Sequence, residues 1–193
     1  MKSVAVFCGS SFGKSNVYAE NAALLGKTLA MQGITLVYGG AKVGLMGVLA
    51  NAALEAGGTV TGVLPRFLSI KEIAHNGLTE LILVDSMHER KAKMNELCDG
   101  VIAMPGGYGT MEEFFELLTW AQLGLHKKPV GILNVDGFYD GLLSLAGNMV
   151  EKGFLKQQDR DMLLCGNNIN SLLQKMQLYT APQVNKWITR ETT

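Results

Sequence analysis

Residues 100–124, GVIAMPGGYGTMEEFFELLTWAQLG, break a short apolar run at proline and glycine and restart it as a helix. Val101 to Met104 are apolar enough for a strand covered on both faces, and Pro105-Gly106-Gly107 can neither continue a ladder nor begin an ordinary helical turn. The chain therefore turns sharply there. Thr110 precedes Glu113 by three residues, the spacing of a capping box, and Phe114, Leu117, Leu118 and Ala121 follow at helical intervals. A helix N-terminus at the end of a strand presents free backbone N–H groups and the positive end of a dipole, and glycines let an anion approach that backbone closely. Gly106, Gly107, Tyr108, Gly109 and Thr110 are thus candidates for holding a phosphate.

Outward from this stretch the same alternation repeats. Val4 to Cys8 reads as a buried strand, followed by Gly9-Ser10-Ser11 and a helix, capped by Ser15 or Asn16, to about Gln32. Ile34 to Tyr38 is a second strand, ending in Gly39-Gly40-Ala41-Lys42-Val43-Gly44 and feeding a helix through Ala56. Thr59 to Leu64 is a third, stopped at Pro65; residues 66–78 read as a loop with a short helix, and Leu81 to Val84 as the next strand. Ser86 and Glu89 repeat the capping-box spacing before a helix to Cys98. Val130 to Val135 is a further strand, Phe138 to Glu151 a helix, and the remainder reads as polar and less regular. This order predicts an α/β fold: a doubly wound, Rossmann-like, mostly parallel sheet with helices on both faces, in a single nucleotide-binding-type domain over residues 1–193. Such a sheet binds its ligand beyond the carboxyl ends of the strands, where the glycine and serine turns fall, which adds Ser10 and Gly40 to the candidate contacts.

Charge is balanced, Lys+Arg 17 against Asp+Glu 17, so no long-range field favours nucleic acid or an anionic membrane. The start MKSVAVFCGSS has too short an apolar segment for a signal peptide and no run is long enough to span a bilayer, so a cytoplasmic location is expected. Cys8, Cys98 and Cys165 are odd in number and scattered, as reduced thiols are. His75, His88 and His126 show no metal-ligand spacing, and neither a metal nor a covalent nucleophile is required. No GxGxxG fingerprint occurs, which disfavours a dinucleotide. A P-loop is the sharpest competing motif: Cys8-Gly9-Ser10-Ser11-Phe12-Gly13-Lys14-Ser15 is a Walker A pattern lacking its first glycine, with Leu81 to Asp85 as a possible Walker B strand. That reading leaves the PGGYGT turn without a task.

On the helix after Asp85, Met87, Met94 and Leu97 define an apolar stripe at ~100° per residue, and Arg90 falls on it while Lys93 and Glu96 point elsewhere. An arginine on an inward face either snorkels to the boundary or meets an anion at the strand ends, where its fork pairs a phosphate or carboxylate.

PGGYGTMEE resembles the PGGxGTxxE signature of the LONELY GUY (LOG) family, phosphoribohydrolases of cytokinin nucleoside 5′-monophosphates long labelled lysine decarboxylases, and MHERKAKM resembles that family's second signature. VYGGAKVGLMG and KPVGILNVDGFYDGLL look similar too, so the likeness covers roughly residues 1–180, with Ala41 where many members have a third glycine. The resemblance implies an enzyme that hydrolyses the N-glycosidic bond of adenine-type nucleoside 5′-monophosphates, AMP or an N6-modified form, without a cofactor. It implies Arg90 and Glu113 as catalytic residues, and Met87, Arg90, Lys91, Glu72, Thr119 and the turn residues above as nucleotide contacts. The bond breaks through an oxocarbenium-like sugar, so a carboxylate opposes the growing charge and orients or deprotonates water. Glu113, one turn inside the phosphate turn, stands at ribose distance; Arg90 holds the nucleotide, the leaving base or the carboxylate. Rival readings are a non-catalytic nucleotide or molybdenum-cofactor carrier, a P-loop NTPase, and a decarboxylase needing pyridoxal phosphate on a lysine. The helix from Thr110 also carries Met111, Phe115, Leu118 and Trp120 around its other sides. The methionine-rich helix from Ser86 covers them within one chain, or, as the resemblance implies, a second copy does in a homodimer. The tail from Ala181 to Thr193 matches nothing, and Trp187 with Ile188 is an apolar pair for the body or a partner.

Overall fold

The structure, a computed structural model, describes residues 1–69 and 74–182. Glu72 and the pair Trp187–Ile188 lie outside the described residues. Seven strands form one sheet: β1 Ser3–Phe7, β2 Thr35–Tyr38, β3 Val60–Pro65, β4 Glu80–Val84, β5 Gly100–Ala103, β6 Val130–Leu133 and β7 Leu163–Gly166. All are parallel, in the order β4-β3-β2-β1-β5-β6-β7. The alternation read from the sequence dictates this: each strand is a short apolar run, and β1, β3, β5 and β6 are buried nearly throughout because helices cover both faces. Strand order reverses between β1 and β5, which leaves a crevice beyond their carboxyl ends.

The helices are α1 Asn16–Met31, α2 Gly44–Glu55, α3 Arg66–Ser69, α4 Met87–Leu97, α5 Tyr108–Gln122, α6 Asp140–Glu151, α7 Gln157–Arg160 and α8 Ile169–Leu178. The sheet divides the apolar interior in two. On one face Val4, Val6, Leu36 and Ile102 pack with α1, α2 and α8; on the other Ala5, Val37, Val101 and Ile132 pack with α4, α5 and α6. Alternate residues of each strand serve opposite cores, as the period of two requires.

Three expectations need correction. The Thr110–Glu113 capping box does not form, because α5 begins two residues earlier, at Tyr108, with Gly107 as an N-cap that has no side chain to offer. Thr110 and Glu113 are therefore inside the helix, both buried, and free to face the site. The C-terminal part is not irregular: Leu163-Leu164-Cys165-Gly166 adds β7, and Asn168 caps α8 by accepting from the Ser171 N–H, 2.9 Å away. The apolar run there, Met162 to Cys165, is four residues between Asp161 and Gly166-Asn167, in a segment otherwise polar. Finally, α6 starts at Asp140, after a 3-10 turn at Val135–Gly137 in which Asp136 has φ 54°. The second capping box does form, since Ser86 Oγ accepts from the Glu89 N–H at 3.1 Å and Glu89 Oε2 from the Asp85 N–H at 2.9 Å.

Helices α1 and α2 cross in backbone contact at Gly26, where a Cβ would press into the Leu49 carbonyl and stand 3.0 Å from the Ala53 nitrogen. Gly26→Ala gains helix propensity but must part the helices, and the overpacking costs about 1–3 kcal/mol. Urea unfolding should show a lower midpoint with unchanged slope; an unchanged midpoint contradicts the close crossing.

Candidate active site

Three glycine-bearing turns converge at the reversal of strand order. The Gly9 N–H donates to the Pro105 carbonyl at 3.0 Å and the Leu45 N–H to the Gly9 carbonyl at 3.0 Å, which ties the turns after β1, β2 and β5 together. Gly44, at φ 56°, lies so close to the Ser10 backbone that a Cβ has no room there. Gly107 and Gly109 differ, since a Cβ on either would meet nothing within 4 Å. The protein's own packing does not need glycine at these two places; they leave the N-terminal turn of α5 bare toward an incoming anion. Beside it is a cavity of about 320 Å³ walled by Ser10, Ser11, Tyr18, Gly106, Gly107 and Phe138 among others.

Arg90 turns inward as its place on the Met94 stripe predicts and meets Glu113: Nη2 lies 2.8 Å from Oε1, with the two residues only 9 % and 8 % exposed. The Ser86 cap sets where α4 begins, and Gly107 where α5 begins, so Arg90 from the first turn of α4 and Glu113 from the second turn of α5 project into the same place. Gly39, ending β2, makes room, since a Cβ there would stand 2.5 Å from Arg90 Nη2. Arg90 Nη1 approaches Met87 Sδ at 3.9 Å, and Nε is buried without an acceptor. Burial pushes the Glu113 carboxyl above its ordinary range, and the Arg90 charge pulls only part of the way back. The Cys8 thiol, at the end of β1, is raised by burial and then by Glu113, so it is neutral.

Not every expected contact gathers here. Gly40, at φ 74°, uses its carbonyl to accept from the His75 N–H at 2.9 Å and packs against Leu64 and Leu81, so Gly39 rather than Gly40 faces the arginine. Lys91 turns to Glu112 and Glu116 on α5. Tyr108 is 97 % exposed. Thr119 is exposed on α5, and nine residues beyond Thr110 it lies about 14 Å further along the axis, out of reach of the same turn. Nor do the P-loop parts come together. Ser15 caps α1, accepting from the Val17 N–H at 3.4 Å; Lys14 is exposed; and Asp85 follows the edge strand β4, three strands from β1, paired with Arg66 at 3.0 Å. Neither Gly39 nor Cys8 was among the expected contacts; the sequence showed Gly39 in the doubled glycine after β2 and Cys8 at the head of the Walker-like run.

The chain's residues 46–176 match a protein-family model described as "Possible lysine decarboxylase". The probable cytokinin riboside 5′-monophosphate phosphoribohydrolase LOGL1 of Oryza sativa subsp. japonica is 48 % identical over 177 residues, covering 92 % of this chain and 79 % of that protein. The cytokinin riboside 5′-monophosphate phosphoribohydrolase of Rhodococcoides fascians is 50 % identical over 173 residues, 89 % of this chain and 87 % of its own. The chain belongs to the LONELY GUY (LOG) family. Among solved structures, the molybdenum cofactor binding protein of Rippkaea orientalis superposes with a TM-score of 0.68 at 20 % identity, over 92 % of this chain and 96 % of that one. The molybdenum cofactor carrier protein of Chlamydomonas reinhardtii does so at 0.67 and 19 %, over 91 % and 95 %. At that identity the likeness shows that the LOG sheet and theirs share a fold.

Arg90→Met leaves the Glu113 carboxylate buried without its partner, a loss of about 3–5 kcal/mol while that carboxylate stays ionised. Without the arginine its folded-state pKa rises further above the unfolded ~4.3, so the loss is full above the folded value and shrinks as pH falls through it. Chemical denaturation at pH 8 and pH 5 should give a larger deficit at pH 8; equal deficits contradict the pairing.

Proposed function

We propose that this chain hydrolyses the N-glycosidic bond of adenine-type (cytokinin) nucleoside 5′-monophosphates, releasing the free base and ribose 5-phosphate. The observation that carries the reading is the buried Arg90–Glu113 pair beside the bare N-terminus of α5. The relatives' names give the reaction class. The 5′-phosphate rests on the amides from Gly107 to Thr110, where glycines admit it and the helix dipole favours its charge. Ribose then comes beside Glu113. As the bond to the base lengthens, positive charge spreads over C1′ and the ring oxygen, and the carboxylate opposes it. The same carboxylate accepts a proton from water as the water adds to C1′; the leaving base takes up a proton, and Arg90 keeps Glu113 oriented and ionised. A carboxyl raised by burial is a better base at neutral pH than an ordinary one, provided it stays ionised.

The same reading includes a cytoplasmic homodimer. Its support lies on α4 and α5, where Met87 and Phe115 are exposed large apolar side chains and Thr119 faces outward, so a partner seated on these helices brings Thr119 toward the partner's own site. Among the described residues no helix is long and apolar enough to cross a membrane.

Chromatography of products from AMP and from an isopentenyl-adenine nucleotide tests the activity. Glu113→Gln keeps size and removes charge, so nucleotide binding persists while kcat falls by roughly 10²–10⁴-fold. Adenosine, lacking the phosphate, reacts far more slowly than AMP. The acid limb of kcat/KM lies above the ordinary glutamate range, because ionised Glu113 is the active form and its pKa is raised. Product release by Glu113→Gln at the wild-type rate, or equal rates for adenosine and AMP, sinks the mechanism. Light scattering after size exclusion reads the assembly, and a mass near the 20.8 kDa chain removes the dimer.

A further inference from the structure

Lys91 follows Arg90 on α4 but is engaged elsewhere. Its Nζ lies 2.5 Å from Glu112 Oε1 and 3.1 Å from Glu116 Oε2, and its side chain is only 12 % exposed. An exposed pair of this kind contributes little, whereas here the lysine and Glu116 are largely covered. Glu112 immediately precedes Glu113, and Glu116 follows it by nearly one turn, so the ammonium bridges the acids on either side of the catalytic carboxylate. One of its three donors is committed to Glu112 by a hydrogen bond, and Glu116 lies within ion-pairing distance of the same ammonium. With the Arg90–Glu113 bond, consecutive residues of α4 hold α5 at three carboxylates.

We propose that Lys91 is a positioning residue for the Arg90–Glu113 pair, fixing α4 against α5 and balancing the two carboxylates that flank Glu113; this rests on Glu113 carrying the reaction. The charges facing Glu113 are Arg90 and Lys91 from α4 and Glu112 and Glu116 from its own helix, with the neutral Cys8 thiol from β1. Burial works against the Lys91 charge, yet its bonds to Glu112 and Glu116 outweigh that and hold it above the ordinary lysine value, so it is a fixed cation. Without it, two uncompensated carboxylates raise the proton affinity of Glu113 and compete with it for the Arg90 fork. The carboxylate is then misaimed and more readily protonated.

Steady-state kinetics with AMP across pH are measured for wild type, Lys91→Met, Lys91→Arg and the triple variant Lys91→Met/Glu112→Gln/Glu116→Gln, each checked for fold by circular dichroism. A misplacement of the order of 1 Å costs on the order of 10²-fold, so Lys91→Met loses roughly 10- to 100-fold in kcat with KM little changed. Its acid limb moves up by about one pH unit, the scale of one neighbouring charge. Lys91→Arg, which preserves the bridge, retains more of kcat than Lys91→Met. The triple variant, with the flanking charges gone, returns the limb to the wild-type position and recovers much of kcat. A raised KM in the triple variant, with kcat still lost and the limb in place, overturns the proposal and makes Lys91 a substrate ligand. Should Lys91→Met not fold, the KM and acid limb of the triple variant decide between the same two outcomes. An active Glu113→Gln enzyme overturns the reading beneath the proposal, and that variant alone tells the two failures apart.

Discussion

Two opposite charges, Arg90 and Glu113, sit together out of water at the ends of the central strands. Removing each from solvent costs several kcal/mol, and mutual attraction offsets this only where geometry and further hydrogen bonds are good; a well-packed apolar pair of the same volume is often at least as stable. Here the geometry is incomplete, because Arg90 Nε is buried with no acceptor. A polar group left unsatisfied in the interior needs a reason. The reason consistent with the surroundings is that the site, not the fold, requires this pair. Much nearby then follows: a glycine stands directly after β2 because any side chain there would displace the guanidinium, and the helix starts at Met87 and Tyr108 place Arg90 in the first turn of α4 and Glu113 in the second turn of α5.

The pair can exist only because of the sheet's topology. Strand β1 has β2 on one side and β5 on the other, so the chain leaves it toward α1 on one face while α4 and α5 occupy the opposite face. The turns after β1 and β5 are held in contact by backbone hydrogen bonds, yet the helices that follow diverge. A crevice opens at that divergence, walled by the turns after β1 and β5 with Tyr18 of α1 and Phe138 beside them. In a sheet wound in one direction only, consecutive helices would close over this space.

The parallel sheet, its first six strands and the inward arginine were legible in the sequence because each rests on a local pattern: apolar runs of strand length, glycine punctuation, and one charged residue on a Met/Leu stripe. What was not legible depends on tertiary context. Thr110 and Glu113 have the spacing of a capping box, but the fold starts the helix earlier and uses both residues inside it, so a local rule gave way to the site. Strand β7 comes from a four-residue apolar run, Met162 to Cys165, in an otherwise polar segment, and pairing with the edge of β6 makes a strand of it. Gly39 leaves the room the guanidinium occupies, a fact that no periodicity encodes. Lys91 sits in a recognisable signature, yet its partners are two acids twenty-odd residues away, invisible until α4 and α5 are side by side.

Cofactor carriers with about one-fifth identity share this sheet, so the fold by itself does not select a chemistry. Selection lies in side chains at the crevice. A carrier needs donors for its cargo; a glycosidase also needs a carboxylate held ionised beside the bond that breaks. On the proposed function Arg90 provides for both demands, because its Nη2 is committed to Glu113 while its Nε–H remains free to donate to a ligand oxygen or nitrogen. In that reading substrate entry satisfies the buried Nε–H without breaking the existing pair. If the Arg90–Glu113 pair carries the proposed reaction, its charges are in place before the nucleotide arrives and little reorganisation remains when the bond breaks.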